Sequence, residues 1–175
     1  SYGIYLAGRG SNTLTNNATV KVNRSSAYAE GKKAVALYAE NGSINNSGAL
    51  EVGAKDAVIN GGIGIETDGG NVTNGGTITV YGNGSVLNGQ NGNVTNNEKG
   101  QLNIYTDGKA SAYGIYLAGS TGNTITNKAS IFINRYGAYA QAASTGNYGI
   151  WTDNAKIVNS GDISLGSSTA GLSGI

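Results

Sequence analysis

The stretch VTNGGTITV, at residues 72–80, contains the pattern that decides the fold of this 175-residue chain. In this pattern, an apolar residue is followed by one residue of any type and then by an asparagine. A short turn of small residues comes next. The pattern ends with three residues, of which the first and the third are apolar. Successive copies of the asparagine are separated by about 22 to about 32 residues, a period typical of solenoids that stack one copy on the next. The other five copies are LTNNATVKV (14–22), INNSGALEV (44–52), VTNNEKGQLNI (94–104), ITNKASIFI (125–133) and IVNSGDISL (157–165).

Each copy reads as a pair of short strands. Apolar residues recur at every second position, as Ile78 and Val80 do, which places them on one face of a strand. A helix is disfavoured because Gly and Asn interrupt every window and nothing recurs at i+3 and i+4. Strands this short need partners to cover their apolar faces. We therefore predict an all-β fold, a parallel β-helix (solenoid) of about six coils stacked in register.

A second strand-like segment precedes each copy. The segments are GIYLA (3–7), AVALYA (34–39), GIGIETD (62–68), GSVLNG (84–89), GIYLAG (114–119) and GIWTD (149–153). Period-two alternation puts the aliphatic residue of each segment inside, so that the next residue points outward. The outward set is Tyr5, Tyr38, Glu66, Asn88, Tyr116 and Trp151.

Two aromatic pairs would thus lie on one face, separated by two polar coils. Tyr and Trp bury a large area at low entropic cost, so Tyr5, Tyr38, Tyr116 and Trp151 are the predicted ligand-binding residues. The alternative is that these rings only stabilise the strands by stacking on each other.

The recurring asparagine has a structural interpretation. Asn tolerates left-handed backbone angles, which suits the corner after a short strand. Stacked amides can also donate to one another along the column. We predict a structural amide ladder through Asn16, Asn46, Asn74, Asn96, Asn127 and Asn159.

The sequence also repeats over a longer distance than one coil. Residues 2–29 match residues 113–140 at more than half of their positions, which indicates the duplication of a block of about four coils. The chain is therefore interpreted as a single segment, 1–175, with related blocks at 1–53 and 112–165. Since the array begins and ends inside strand-like segments without a polar cap, we expect the natural chain to continue in both directions, or to associate end to end.

Composition excludes several kinds of function. Only 12% of the residues are charged and the net charge is +1, so nucleic-acid binding driven by counterion release has no evident source. The chain has no Cys and no His, which removes disulfides, thiolate metal sites and the usual general base. We expect neither a cofactor nor a metal. No apolar run approaches the roughly 20 residues that span a bilayer as a helix.

Two carboxylates are candidates for a catalytic pair. Glu66 and Asp68 lie two residues apart, and a Thr-Asp word recurs at 106–107 and 152–153. Acid and base catalysis needs two carboxyls within about 10 Å of each other in a cleft, and no cleft is expected on a rod. The preferred interpretation is solvated Asp in turns, with no enzymatic activity. The glycine-rich repeat that binds calcium in some β-helices is also missing.

Connections between coils differ in length. NRSSAYAEGKKA (23–34) and NRYGAYAQAASTGN (134–147) are long, whereas YGNG (81–84) is brief. Long loops on a rigid scaffold are common binding regions. Lys32 and Lys33 are expected at a solvated loop tip. The enlarged turn NNEKGQ (96–101) and the short step from Ile65 to Leu87 are predicted to mark a kink or a docking point.

The words GIYLAG, VTNGGTITV and INNSGALEV resemble the repeats of passenger domains in bacterial type V autotransporters, especially the large fusobacterial outer-membrane adhesins. The resemblance covers nearly the whole chain. It implies a secreted, cell-surface stalk that is a right-handed parallel β-helix, anchored in the outer membrane only through a C-terminal β-barrel outside this sequence. It also implies a role in cell adhesion and virulence, with a protein or glycan on a host or bacterial surface as partner. No binding residue is carried over, because the matching words are structural. The alternatives are a self-assembling extracellular filament and, less favoured, a β-helical polysaccharide-active enzyme.

Overall fold

A computed structural model describes residues 1–8, 10–24, 33–106, 110–119, 122–134 and 146–166. This part of the chain folds into 17 β-strands, and no helix occurs among the described residues. The strands are β1 (Tyr2–Leu6), β2 (Asn12–Asn16), β3 (Thr19–Val22), β4 (Ala34–Glu40), β5 (Gly42–Asn46), β6 (Ala49–Val52), β7 (Ile59–Asp68), β8 (Val72–Asn74), β9 (Thr77–Gln90), β10 (Val94–Asn96), β11 (Gln101–Tyr105), β12 (Ala112–Ala118), β13 (Thr124–Asn127), β14 (Ser130–Ile133), β15 (Asn147–Thr152), β16 (Lys156–Asn159) and β17 (Ile163–Leu165).

The strands form three faces, and all pairings between them are parallel. Face A contains β1, β4, β7, the second half of β9, β12 and β15. Face B contains β2, β5, β8, β10, β13 and β16. Face C contains β3, β6, the first half of β9, β11, β14 and β17. Each face thus has six rungs. The predicted parallel β-helix is confirmed, and its handedness stays a prediction.

The core consists of aliphatic columns that run through the middle of the solenoid. On face A, Leu37, Ile65 and Leu87 pair in register and are fully buried. On face C, Ile78 pairs with Leu102 in the same way. Burying one such side chain contributes about 1.5–3 kcal/mol. Because each side chain packs on its equivalent in the next coil, the repeat converts weak strands into one continuous core.

The corners correct one expectation. Left-handed backbone angles at non-glycine residues occur at Asn23, Asn41, Asn91 and Asn134, and not at any of the six ladder asparagines. The prediction that the ladder residues adopt such angles is therefore wrong. Each of them is the last residue of a face B strand, where an extended backbone is needed to point the amide inward. The left-handed asparagines follow strands of faces A and C instead.

Strand β9 passes from face C to face A without a corner turn. Its first half pairs with β11 and its second half with β12. This direct passage explains the short step between Ile65 and Leu87, which pair in register. The register between β7 and β9 shifts only between Asn60 and Gly62. In the described ranges, no helix is long and apolar enough to cross a membrane.

Candidate functional site

The outer surface of face A brings the predicted aromatic residues together in two places. Tyr5 pairs with Tyr38 in the strand register, and their rings are stacked with centroids 4.9 Å apart and planes inclined by 15°. Tyr116 and Trp151 are likewise paired and stacked, at 4.5 Å and 4°. Glu66 and Asn88 occupy the two rungs between the pairs.

Three further tyrosines, which the sequence analysis did not select, belong to the same surface. Tyr2 contacts Tyr5 and Tyr38 edge to face, with ring centroids 5.0 and 5.5 Å away. Tyr113 and Tyr148 stack at 5.1 Å and 9°. Face A therefore has an N-terminal aromatic cluster and a C-terminal aromatic cluster. The first consists of Tyr2, Tyr5 and Tyr38, and the second of Tyr113, Tyr116, Tyr148 and Trp151.

A glycine explains why two tyrosines three residues apart share the outer surface. A side chain at Gly114 would point inward, because its Cβ would lie 2.4 Å from the Cγ2 of Ile131. The next residue, Ile115, is also fully buried. With two consecutive inward positions, Tyr113 and Tyr116 both lie outside, where their rings contact each other. Strict alternation assigns Tyr113 to the interior. The recurrence of the sequence Tyr-Gly-Ile is the signal that could have identified Tyr113 as an outward residue.

The stacking decides what the clusters offer to a partner. Ring centroids 4.5–5.1 Å apart match the spacing of about 4.8 Å between rungs, so the rings of each stacked pair cover one another's facing sides. Such pairs contribute about 0.5–1.5 kcal/mol to stability beyond area burial. A stacked pair still offers its ring edges, any outer ring face that no further ring covers and, for the tyrosines, the hydroxyl groups. Such a surface provides both apolar and hydrogen-bonding contacts.

Charged residues lie beside the N-terminal aromatic cluster. The Nζ of Lys33 donates to Oε1 of Glu66 at 2.7 Å, and the Lys33 side chain is half exposed. An ion pair this accessible contributes about 0–1 kcal/mol. Burial raises the pKa of the Tyr38 phenol, and the nearby Tyr5 and acidic side chains raise it further. Lys32, the other residue of the predicted loop tip, lies outside the described residues.

Inside face B, the six ladder asparagines are joined by their amides. The Nδ2 of each of the first five donates to the Oδ1 of the next rung, over distances of 2.8–3.0 Å from Asn16 to Asn159. In regular turns the same Nδ2 also donates to the carbonyl two residues later, as Asn74 does to Gly76 at 2.9 Å. Asn74, Asn96 and Asn127 are fully buried. These amides bind each other, so the ladder holds the turns in place.

The two carboxylates considered as a catalytic pair lie in different surroundings. Glu66 is engaged by Lys33, and Asp68 is exposed at the end of β7. No group of three or more acidic, Cys or His side chains that could hold a metal ion occurs among the described residues. Asp107 and the central parts of both long connections, 25–32 and 135–145, lie outside them.

In comparisons with protein-family models, curated proteins and solved structures, no match to this chain was found. Its function is therefore inferred from its own residues. Those residues form a continuous rod with two aromatic clusters on one face.

Proposed function

We propose that the chain is a segment of a bacterial cell-surface adhesin, a stiff extracellular stalk that displays binding surfaces away from the outer membrane. The observation that carries this proposal is the placement of both aromatic clusters on one face of an uninterrupted solenoid. Aromatic side chains are enriched among the residues that dominate binding energy at protein interfaces. Tyr2 and Tyr5 of the N-terminal aromatic cluster are exposed, and the four rings of the C-terminal aromatic cluster are partly exposed. The resemblance of the repeats to autotransporter passenger domains supports the same role.

A stalk requires stiffness, which the strand pairings supply. Each inner coil is hydrogen-bonded to the coil before it and to the coil after it on three faces. Fully buried residues such as Ile78 and Leu102 fill the axis between them. Bending the rod would have to break ladders and open the core together. Six rungs at about 4.8 Å span about 25 Å, so a longer array of such coils would serve as a spacer.

A protein is the partner that face A fits best. Ring edges, hydroxyl groups and the nearby ion pair of Lys33 with Glu66 provide the apolar centre and polar rim of a protein interface. The two long connections join this face directly, since Lys33 precedes β4 and Gly146 precedes β15. These strands contain Tyr38 and Trp151. The expectation that the long connections contribute to binding stays a prediction.

A cell-binding assay with the purified chain tests the proposal. The Tyr116→Ala and Trp151→Ala double variant should bind to host or bacterial cells on the order of tenfold less, because it loses aromatic anchors. The matched control is Tyr81→Ala with Tyr105→Ala. It removes a stacked pair on the face C side, whose ring centroids are 5.1 Å apart. Equal binding by the wild type and both double variants, or no binding by any of them, would overturn the role assigned to face A.

A structural filament is the second candidate. Ile4, Ile157 and Ile163 are 39–47% accessible, and apolar side chains of this kind would pack against equivalent coils of another copy of the chain. Sedimentation at increasing protein concentration separates the two functions. Concentration-dependent growth into fibres favours the filament, whereas a constant sedimentation coefficient together with cell binding favours the adhesin.

A further inference from the structure

The outer surface of face B has a uniform chemistry that faces A and C lack. In the first five coils, two outward residues flank the buried aliphatic residue in each face B strand, and in β8 and β10 the first of them immediately precedes the strand. All ten are hydroxyl or amide side chains, with no charge and no aromatic ring among them. They form two columns along the rod. The first column is Thr13, Ser43, Asn71, Asn93 and Thr124, and the second is Thr15, Asn45, Thr73, Thr95 and Thr126.

The two columns differ in how their hydrogen-bonding groups are used. In the first column, Asn71 Oδ1 accepts from the backbone N–H of Asn93 at 2.9 Å, and Asn93 Oδ1 accepts from that of Thr124 at 2.8 Å. The first column thus helps to hold successive coils together. In the second column, none of the five side chains hydrogen-bonds to any residue that the structure describes. Its hydroxyl and amide groups are available to solvent or to a ligand.

Three residues of the second column form the floor of a groove along the corner between faces B and C. A cavity of about 220 Å³ is lined by Thr15, Asn45 and Thr73 on the floor and by Asn17, Ser47 and Asn97 on the wall. Two side chains of the wall are hydrogen-bonded to each other, since Ser47 Oγ donates to Asn17 Oδ1 at 2.5 Å.

A second cavity of about 370 Å³ continues the groove. It shares Ser47 and Asn97 with the first and is bounded by Glu98, Lys99 and Lys128. Glu98 and Lys99 belong to the enlarged turn that the sequence analysis singled out. The groove therefore runs lengthwise along the rod and reaches the charged side chains of this turn.

We propose that this groove binds a neutral, extended polysaccharide that lies along the rod. Uncharged donors and acceptors recur at about 4.8 Å per rung, which is comparable to the length of one sugar in an extended chain. Hydroxyl and amide groups match the hydroxyls of a neutral sugar, whereas a floor without charge offers little to an anionic glycan. Weak contacts to single sugars add up when several rungs are occupied at once.

A bound peptide is the less favoured occupant. Peptides that extend a sheet bind its edge through their main chain, but the main chain of the inner face B strands is already paired on both sides, as in β5, β8 and β10. Peptide recognition by side chains usually relies on an aromatic or aliphatic anchor. The described groove lining contains neither.

Affinity electrophoresis of the purified 175-residue chain tests the proposal. The probes are a soluble β-glucan and a galactomannan, with heparin as the charged comparator. The double variant Thr15→Val with Thr73→Val removes two hydroxyls from the groove floor and keeps the β-branched shape. We expect its retardation by a neutral gel to weaken on the order of tenfold, because two hydrogen bonds are lost. The matched control is Thr77→Val with Thr79→Val, which makes the same change on face C.

The outcomes separate this site from face A. The groove is supported if a neutral gel retards the wild type and the face C control but retards the face B variant less. Free oligosaccharide of the same polymer should also abolish the retardation of the wild type. The Tyr116→Ala and Trp151→Ala variant should keep its retardation even if it no longer binds cells. The proposal is overturned if neither neutral gel retards the wild type, if the face B variant is retarded equally, or if only heparin retards the chain. The competition experiment uses the wild type, so it remains informative if a variant fails to fold.

Discussion

Asn45 and Asn46 are neighbours in β5, yet they occupy two different environments. The Nδ2 of Asn46 donates to Oδ1 of Asn74 at 2.8 Å and to the carbonyl of Gly48 at 3.2 Å, and its Oδ1 accepts from Asn16 at 2.8 Å. Asn45 is exposed and makes no side-chain hydrogen bond to the described part of the chain. The difference arises because successive side chains of a strand point to opposite faces. Inward columns therefore govern stability, while outward columns are available for recognition.

The largest expected effect compares two adjacent glycines in the turn after Asn74. A Cβ at Gly76 would lie 2.0 Å from the carbonyl oxygen of Gly48, whereas a Cβ at Gly75 would lie 3.9 Å from its nearest neighbour, the carbonyl oxygen of Asn46. Neither glycine has a positive φ, so contact alone distinguishes them. Gly76→Ala should destabilise the fold by on the order of 3 kcal/mol, and Gly75→Ala should not. Urea unfolding of both variants checks this, and equal midpoints would contradict it.

In another coil, the position equivalent to Gly76 is occupied by alanine. Ala129 occupies the position equivalent to Gly76, directly above Gly100 in the strand register. Gly100 ends the enlarged turn, and its backbone N–H donates to the carbonyl of Asn97 at 2.7 Å. Alanine is therefore found above a longer turn, while Gly76 lies above the shorter turn that contains Gly48. The same register position tolerates different residues because the turn beneath it differs.

The next effect in size concerns the amide ladder. Asn74→Ala leaves Oδ1 of Asn96 without its ladder donor and removes the acceptor of the Nδ2 of Asn46. Leaving buried polar partners unpaired costs about 1–3 kcal/mol. Asn45→Ala is the matched control, since it deletes an exposed amide from the neighbouring column, and we expect a change within about 0.5 kcal/mol. If both variants unfold at the same urea concentration, the ladder does not stabilise the interior.

The smallest effect is a dependence on pH at the outer surface. The pKa of the Tyr38 phenol is raised first by burial and then by Tyr5 and by the carboxylates of Glu66, Asp68 and Glu40. A raised pKa means that the folded state holds this proton more tightly than the unfolded state does. The associated stability is present below about pH 10, the ordinary tyrosine value, and is lost as the pH rises through the folded pKa.

Urea midpoints at pH 8 and pH 11 measure this loss. The wild type should lose more stability between the two pH values than Tyr38→Phe, which has no phenol to titrate at that position. An identical loss of stability in both proteins would show that the ionisation of Tyr38 does not contribute to the pH dependence.

Much of the interior could be predicted from the sequence because the aliphatic residues repeat with period two. The expected inward positions Ile65 and Leu87 are paired and buried, and so are Ile78 and Leu102. The outer surface was less predictable. Tyr113 was missed because Gly114, which lacks a side chain, allows two successive residues to turn inward. A period-two pattern has no means of showing such a local irregularity.

The sequence by itself determined the number of repeats, the all-β character and the aliphatic columns, because burying a repeated apolar face requires stacking in one register. Only the tertiary structure decided which asparagines take left-handed angles, such as Asn41 in place of Asn46. It also decided which polar side chains are used between coils and which line a groove. These features depend on the distance between one rung and the next at each corner, and that distance is set by the packed neighbours rather than by any residue alone.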